Sequence, residues 1–411
     1  MSKNSLEEKL FQDFRSGVKV DLEDALLIAS GVDSEEKLVE YKKKLGFIEA
    51  DFVKKKGKRD DAFLLARDLF NYFWETKPER YNGNFLLTDV IDAQLNPDAK
   101  GVGNCVGLTS LYSVVGSRLG LELKVSFIEA DYDGKGHVFS RLCVKEEIVD
   151  IENTNDGGFN FQHAGETRDL SHLVCETYHS RGTVNYWSSR FDEAIADYDK
   201  AIELNPNYSA AYNNRGSAKS SLRRFEEAIV DYDKAVELKP EYANAYFNRG
   251  STKYKLCRIE EAIVDYDKAI ELNPDFAEAY NNRANSKYDL CRFEEAVVDY
   301  DKAVELNPDF VNAHYNRGNS KYELSRFDEA IQDYNRAIEL KPDFVEAYYN
   351  RGNTNQRLRR FKEAAEDFKA VMDIRPSIDV QIMYVFSKSC AAADGVYGIL
   401  KRCFSSAKGA K

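Results

Sequence analysis

Ala243-Asn244-Ala245-Tyr246-Phe247-Asn248-Arg249-Gly250 opens a segment that runs on through Ala262 and Tyr266 and closes at Pro274. The closing proline has counterparts at Pro206, Pro240, Pro308, Pro342 and Pro376, each 34 residues from the next. Alanines keep the same interval at Ala194, Ala228, Ala262, Ala296, Ala330 and Ala364, and aromatic rings keep it at Tyr198, Tyr232, Tyr266, Tyr300, Tyr334 and Phe368. A further series, Gly182, Gly216, Gly250, Ala284, Gly318 and Gly352, narrows the first helix of each unit so that a neighbour can approach. The alanine does the same for the second helix, the ring fills the space between units, and the proline ends the second helix. A fixed period of this length means stacked helix-turn-helix units, each burying its apolar face against the next.

With this Gly…Ala…aromatic…Pro order, residues 175–378 are similar to tetratricopeptide repeats, in six units starting near 175, 209, 243, 277, 311 and 345. Arg181, Arg215, Arg249, Arg283, Arg317 and Arg351 stand where that family usually has Leu. Their stems can cover apolar surface, and their heads can meet the aspartates of the Asp-Tyr-Asp segments. One face of the first helices carries Asn214, Asn248, Asn282, Asn316 and Asn350, with Ser217, Ser251, Asn285, Asn319 and Asn353 three residues on. A side-chain amide both donates and accepts, so a ladder of them can grip an extended chain without reading its sequence. The alternative is an ordinary solvated helix face. Basic residues are sparse along this face, which disfavours a clamp for acidic peptide tails. The expected partner is a protein or peptide bound in the repeat groove.

The front of the chain carries a different signal. Gly101-Val102-Gly103-Asn104-Cys105-Val106-Gly107-Leu108 is a glycine-rich turn whose cysteine opens a helix. Leu108, Leu111, Val115 and Leu119 continue it at helical spacing and Gly120 closes it. A thiol at a helix N-terminus has a lowered pKa and is a candidate nucleophile. The period then changes to two, giving strands over Leu121–Phe127, His137–Val144 and Ile148–Glu152. His137 is the candidate base. Asp150 and Glu152 share a strand face. A hairpin centred on Glu146 puts His137 nearly opposite Asn155, which makes Glu152 the nearer orienting acid and Asp150 the reserve. The Cys105 N–H, with Asn104 or Asn84, is the candidate oxyanion donor set.

The order Cys, helix, strand, His, strand, acid resembles the transglutaminase-like branch of the papain-type superfamily. The matching residues are Gly103-Asn104-Cys105, Gly136-His137-Val138-Phe139 and Asp150-Ile151-Glu152-Asn153-Thr154. In that family the acid follows the His by fifteen residues and precedes a Thr by two, and Glu152 does both. Thr88-Asp89-Val90-Ile91 and the upstream helices look most like its SirB1-type subgroup. Phe139 replaces the family's usual Trp, and Glu152 its commoner Asp. The resemblance implies that Cys105 attacks an amide or ester carbonyl while His137 shuttles the proton and Glu152 orients His137, giving a hydrolysed or transferred acyl group.

The expected architecture is therefore multidomain: an α+β transglutaminase-like domain followed by an all-α superhelical solenoid. Residues 1–95 form its helical subdomain, 96–172 the transglutaminase-like core, 175–378 the six repeats, and 379–411 a capping helix and tail. The competing reading keeps the repeats as an interaction scaffold and gives the front no turnover.

Bulk properties narrow the partners. The chain has 411 residues and a net charge of -12. That disfavours nucleic acid, whose phosphates need a basic footprint, and an anionic membrane surface. No apolar run approaches the ~18 residues of a spanning helix, and Met1–Glu8 has no apolar signal core, so a cytoplasmic location is expected. The seven cysteines are scattered, with no Cys-x-x-Cys pair. Neither a disulfide framework, a metal site nor a cofactor is expected.

Overall fold

The computed structural model describes residues 5–18, 20–57, 62–76, 87–96, 105–121, 123–128, 137–144, 147–151, 159–161, 166–168, 171–376 and 379–390. The chain divides into two compact units, Met1–Arg224 and Phe225–Lys411.

The first unit holds helices α1 (Ser5–Arg15), α2 (Leu22–Ala29), α3 (Glu35–Lys56), α4 (Ala62–Thr76), α5 (Leu87–Leu95), α6 (Cys105–Arg118), α7 (Ser171–Trp187), α8 (Phe191–Leu204) and α9 (Ser209–Ser221). Their ends follow local chemistry. The Asp21 carboxylate accepts from the Asp24 N–H at 3.0 Å and so caps α2. Ser34 caps α3, whose buried stripe of Leu38, Leu45, Ile48 and Phe52 carries it through to Lys56. Gly57, at φ +79°, ends it. Arg118 near the end of α6 donates to both Glu23 oxygens at 2.6 and 2.7 Å and to Glu49 at 3.3 Å, tying α6 to α2 and α3.

Five strands, β1 (Leu123–Ile128), β2 (His137–Val144), β3 (Glu147–Ile151), β4 (Phe159–Phe161) and β5 (Glu166–Arg168), form one sheet in the order β4-β3-β2-β1-β5. All the pairings are antiparallel. The β2–β3 ladder pairs Val144 with Glu147 and Ser140 with Ile151. The hairpin is thus centred between Lys145 and Glu146, half a residue before the expected centre.

The fold class read from the sequence needs correction. An α+β transglutaminase-like domain is not what the front of the chain shows. Its hydrophobic core, among the residues whose side chains are described, is a helical assembly: α1 to α7 supply its large side chains, Ala201 of α8 and Ala211 of α9 extend it, and Leu123 joins it from β1. The physical reason is that a helix followed by period-two stretches specifies local elements, not the way they pack. The same run of elements serves many assemblies.

The second unit continues the helical pairs: α10 (Phe225–Leu238), α11 (Ala243–Lys255), α12 (Ile259–Leu272), α13 (Ala277–Asp289), α14 (Phe293–Leu306), α15 (Val311–Glu323), α16 (Phe327–Leu340), α17 (Val345–Arg357) and α18 (Phe361–Ile374). A further helix covers 379–390. The periodic residues do what their spacing predicts. Ala262, Ala296, Ala330 and Ala364 are fully buried, and Tyr266, Tyr300, Tyr334 and Phe368 nearly so. A Cβ added at Gly318 would lie 2.7 Å from the Tyr334 ring, and one at Gly352 2.9 Å from the Phe368 ring. The glycine is the space into which the ring fits.

The arginines form an ionic spine. Arg283 binds Asp299 through two nitrogens, at 2.6 and 2.8 Å, and Asp267 of the preceding unit at 2.6 Å. Arg249 joins Asp265 and Asp233 in the same way, and Arg317 joins Asp333 and Asp301. Lys253, Lys287 and Lys321 add a second cation to each buried aspartate at 2.8 Å. Burial opposes the charge of Arg283, but Asp299 and Asp267 outweigh it and raise its pKa. In the first unit Arg181 binds Asp197 and also donates to the Ala29 carbonyl at 2.8 Å, fixing α7 to α2.

The turn inside each pair is strained. Cys257, Cys291, Ser325 and Arg359 all sit at φ of 58–59°, a left-handed conformation that costs a residue with a Cβ about 1–2 kcal/mol. Ser325→Gly is expected to raise stability by roughly 0.5–1 kcal/mol, allowing for the larger entropy glycine loses on folding. Urea unfolding of the two chains, followed by circular dichroism, reads this directly.

Candidate functional site

The asparagines of the first helices do form a ladder in the second unit, and its rungs are bonded to one another. Asn316 donates its amide to the Asn285 Oδ1 at 3.0 Å, and Asn350 donates to the Asn319 Oδ1 at 2.8 Å. Asn282 reaches the Ser251 Oγ at 3.5 Å. The repeat tyrosines reinforce the same acceptors: Tyr300 donates to the Asn285 Oδ1 at 2.6 Å, Tyr334 to the Asn319 Oδ1 at 2.9 Å, and Tyr266 to the Ser251 Oγ at 3.2 Å. Burial raises the pKa of all three phenols, that of Tyr266 to about 12, so they stay protonated and donate. Asn353 closes the series with neither amide atom bonded among the described residues. Its unit carries Phe368 where the others carry Tyr, so the hydroxyl that would hold it is missing.

These side chains face open space. A groove of about 600 Å³ is lined by Tyr288, Asn319, Tyr322, Asn350, Asn353 and Phe386, among others. A neighbouring hollow of about 280 Å³ contains Tyr254, Asn285, Asp289 and Asn316 and shares Tyr288 and Asn319 with the first. The shared residues place the two side by side along α11, α13, α15 and α17. Tyr254 donates to Asp289, and Arg357 donates to the Tyr322 hydroxyl at 3.3 Å. The sequence reading missed Tyr254, Tyr288 and Tyr322 as groove residues, although they too recur every 34 residues.

Tetratricopeptide-repeat family models match residues 175–208, 243–276 and 277–310. Others of that kind match 221–256 and 318–358, 197–230 and 299–332, and 345–378. Residues 175–378 are an array of tetratricopeptide repeats. No curated protein matches the chain. Similar solved structures include YrrB, a TPR protein with an unusual peptide-binding site, 26% identical over 47% of this chain and 97% of its own, with a TM-score of 0.41. MamA is 25% identical over 39% of this chain and 94% of its own, with a TM-score of 0.37. The pilF protein of Pseudomonas aeruginosa is 16% identical over 52% of this chain and 96% of its own, with a TM-score of 0.47.

In the first repeat a histidine takes over one rung. Asn214 donates to the His179 Nε2 at 2.9 Å, and the Nδ1 lies 3.1 Å from the Tyr208 hydroxyl, which itself donates to Glu176 at 2.8 Å. This arrangement requires neutral His179 with its proton on Nδ1. Burial lowers its pKa, against a smaller opposing pull from Glu176. A depressed folded pKa means stability that is present above the unfolded value near 6.5 and lost as pH falls toward the folded value. The expected loss is at most about 1.4 kcal/mol per pH unit in that window. In the fifth repeat Tyr315 occupies the equivalent position and its hydroxyl accepts from Asn350 at 3.0 Å. His179→Tyr should therefore keep the rung and flatten the pH dependence. Urea unfolding at pH 7.5 and 5.5 in both chains tests this.

Of the other ladder residues, Ser217 bonds within its own helix, to the Asn213 carbonyl at 3.1 Å, and Asn248 accepts from Thr252 through its backbone carbonyl at 2.9 Å. The residues proposed for acyl chemistry fall elsewhere. Cys105 opens α6, His137 opens β2 and Asp150 lies in β3, but their side chains lie outside the described residues, as do Glu152, Asn104 and Asn84 altogether. Among the described residues no cluster of His, Cys, Asp and Glu has the makings of a metal site, and no helix is long and apolar enough to cross a membrane.

Proposed function

We propose that this chain is a protein-interaction protein whose repeat groove takes an extended peptide segment of another protein. The reading rests on one observation: among the described residues the groove floor presents the amide nitrogen of Asn285 and the whole amide of Asn353 without a partner, and an Asn319 amide nitrogen whose one contact, the Tyr315 hydroxyl, leaves its second N–H to spare. Polar groups that stay unbonded at the floor of a channel are positioned for a ligand, and the ladder bonds hold them in fixed orientation. The aromatic walls supply apolar area at low entropic cost.

The test is affinity for peptides drawn from a random nonapeptide library, measured by fluorescence anisotropy. Asn319→Leu removes a donor from the centre of the channel. It should raise the Kd of selected peptides about 5- to 30-fold, the equivalent of roughly 1–2 kcal/mol. Unchanged affinity in Asn319→Leu would mean that the peptides bind somewhere else.

A further inference from the structure

We propose that the segment this groove accepts is proline-rich and bound as a left-handed polyproline helix. The inference rests on the peptide-binding reading above and narrows it to one ligand class.

The first support is the balance of donors and acceptors. Each of Asn285 and Asn319 accepts two hydrogen bonds at Oδ1, from the next asparagine and from its own repeat's tyrosine. Two bonds fill the two lone pairs of a carbonyl oxygen. What remains is the Asn285 amide nitrogen and the one Asn319 N–H not engaged by the Tyr315 hydroxyl, so this part of the floor donates and does not accept. A strand-like peptide brings both N–H and C=O groups and leaves its N–H groups without partners there. A proline run brings carbonyls alone, because proline has no backbone N–H.

The second support is spacing. A polyproline helix repeats every three residues, about 9 Å. Helices packed side by side lie about 8–10 Å apart. Carbonyls three residues apart thus stay in step with the donors of consecutive repeats.

The third is the wall. Tyr288 follows Asn285 by three positions and Tyr322 follows Asn319 by three, which puts ring and donor side by side on one helix face. Both rings line the main groove. Aromatic walls beside hydrogen-bond donors suit pyrrolidine rings, and the preformed polyproline helix loses little entropy on docking. Asp289 and Glu323 are exposed at the rim, where a Lys or Arg flanking the prolines would meet them.

The occupant comes from another protein. This chain has eight prolines, and no two of them are closer than nineteen residues.

The experiment uses the full chain and isothermal titration with two probes: acetyl-nonaproline amide, and an acetylated Gly-Ser-Thr nonapeptide amide of equal length that keeps every backbone N–H. The proline probe is expected to bind at least tenfold more tightly. Asn319→Asp keeps the acceptor and the shape but deletes the donor, and should weaken the proline probe at least fivefold. Tyr322→Ala, which leaves the ladder intact, should do the same. Equal or tighter binding of the Gly-Ser-Thr probe overturns the inference and leaves the peptide groove standing. Failure of the proline probe at millimolar concentration, while library peptides still bind, also overturns it. If the library peptides bind nowhere in the channel, the functional reading itself fails.

Discussion

Asp333→Ala is expected to cost about 3–5 kcal/mol, the scale of breaking a buried ion pair from one side. Asp333 is 3% exposed and accepts from Arg317, through Nε at 3.0 Å and through Nη2, and lies 2.8 Å from the Lys321 Nζ. Its removal strands two cations in a low-dielectric layer. Arg317 keeps only Asp301 at 2.8 Å, and Lys321 keeps Glu329 at 3.9 Å. The contrast is Glu329→Ala. Glu329 pairs with Arg326 across surface where both side chains are 44% exposed, so its loss should cost less than ~1 kcal/mol. Because repeat stability is a sum of local and nearest-neighbour contributions, the Asp333→Ala damage should be greatest around α15 and α16. Hydrogen exchange should show those amides opening before α11 and α12. Uniform protection across α11 to α18 would mean that the spine does not act repeat by repeat.

Tyr334→Ala should be comparably damaging, at about 3–5 kcal/mol for a large buried ring. The ring fills the space left by Gly318, and its hydroxyl holds the Asn319 amide in place. Truncation therefore opens a cavity and unfastens a ladder rung together. Tyr334→Phe separates the two effects. It keeps the ring and should cost only about 1 kcal/mol, the net worth of an ordinary hydrogen bond. The sixth repeat already makes this substitution with Phe368, and there Asn353 has no side-chain partner among the described residues. Urea unfolding of the three chains gives the order: wild type, then Phe, then Ala. A Phe variant as unstable as the Ala variant would show that the hydroxyl, not the ring, carries the stability.

Much of the repeat array was legible in the sequence because each unit repeats its own packing rules. The 34-residue interval of Gly318, Ala330, Tyr334 and Pro342 fixes which faces meet. The arginine-to-aspartate contacts followed from placing Arg317 and Asp333 on facing helices of one unit. The ladder positions were legible as a face, but their bonding was not. Whether Asn350 reaches Asn319 depends on the rotation between neighbouring units, which no single repeat encodes. His179 was missed for the same reason, since its role exists only against Asn214 of the next unit.

The front of the chain shows the opposite case. The start of the helix at Cys105 and the bounds of the strand His137–Val144 were read correctly from local periodicity. Their assembly was not, because the core is decided by side chains far apart in sequence. Leu26, Phe52, Phe73, Leu111 and Tyr178 meet there, and nothing in the Cys-His-acid spacing reports on them.

The claim that the asparagine-lined channel is the docking surface is tested most directly by nuclear magnetic resonance. The full chain, labelled at nitrogen and at valine methyls, is titrated with a peptide selected from the library. The side-chain amide signals of Asn285, Asn319 and Asn353 should shift together and saturate at one Kd, while the methyls of Val230, Val264 and Val298, each about two-thirds exposed, stay still. Movement of those valine methyls with silent asparagine amides would place the partner on a different face and contradict the account.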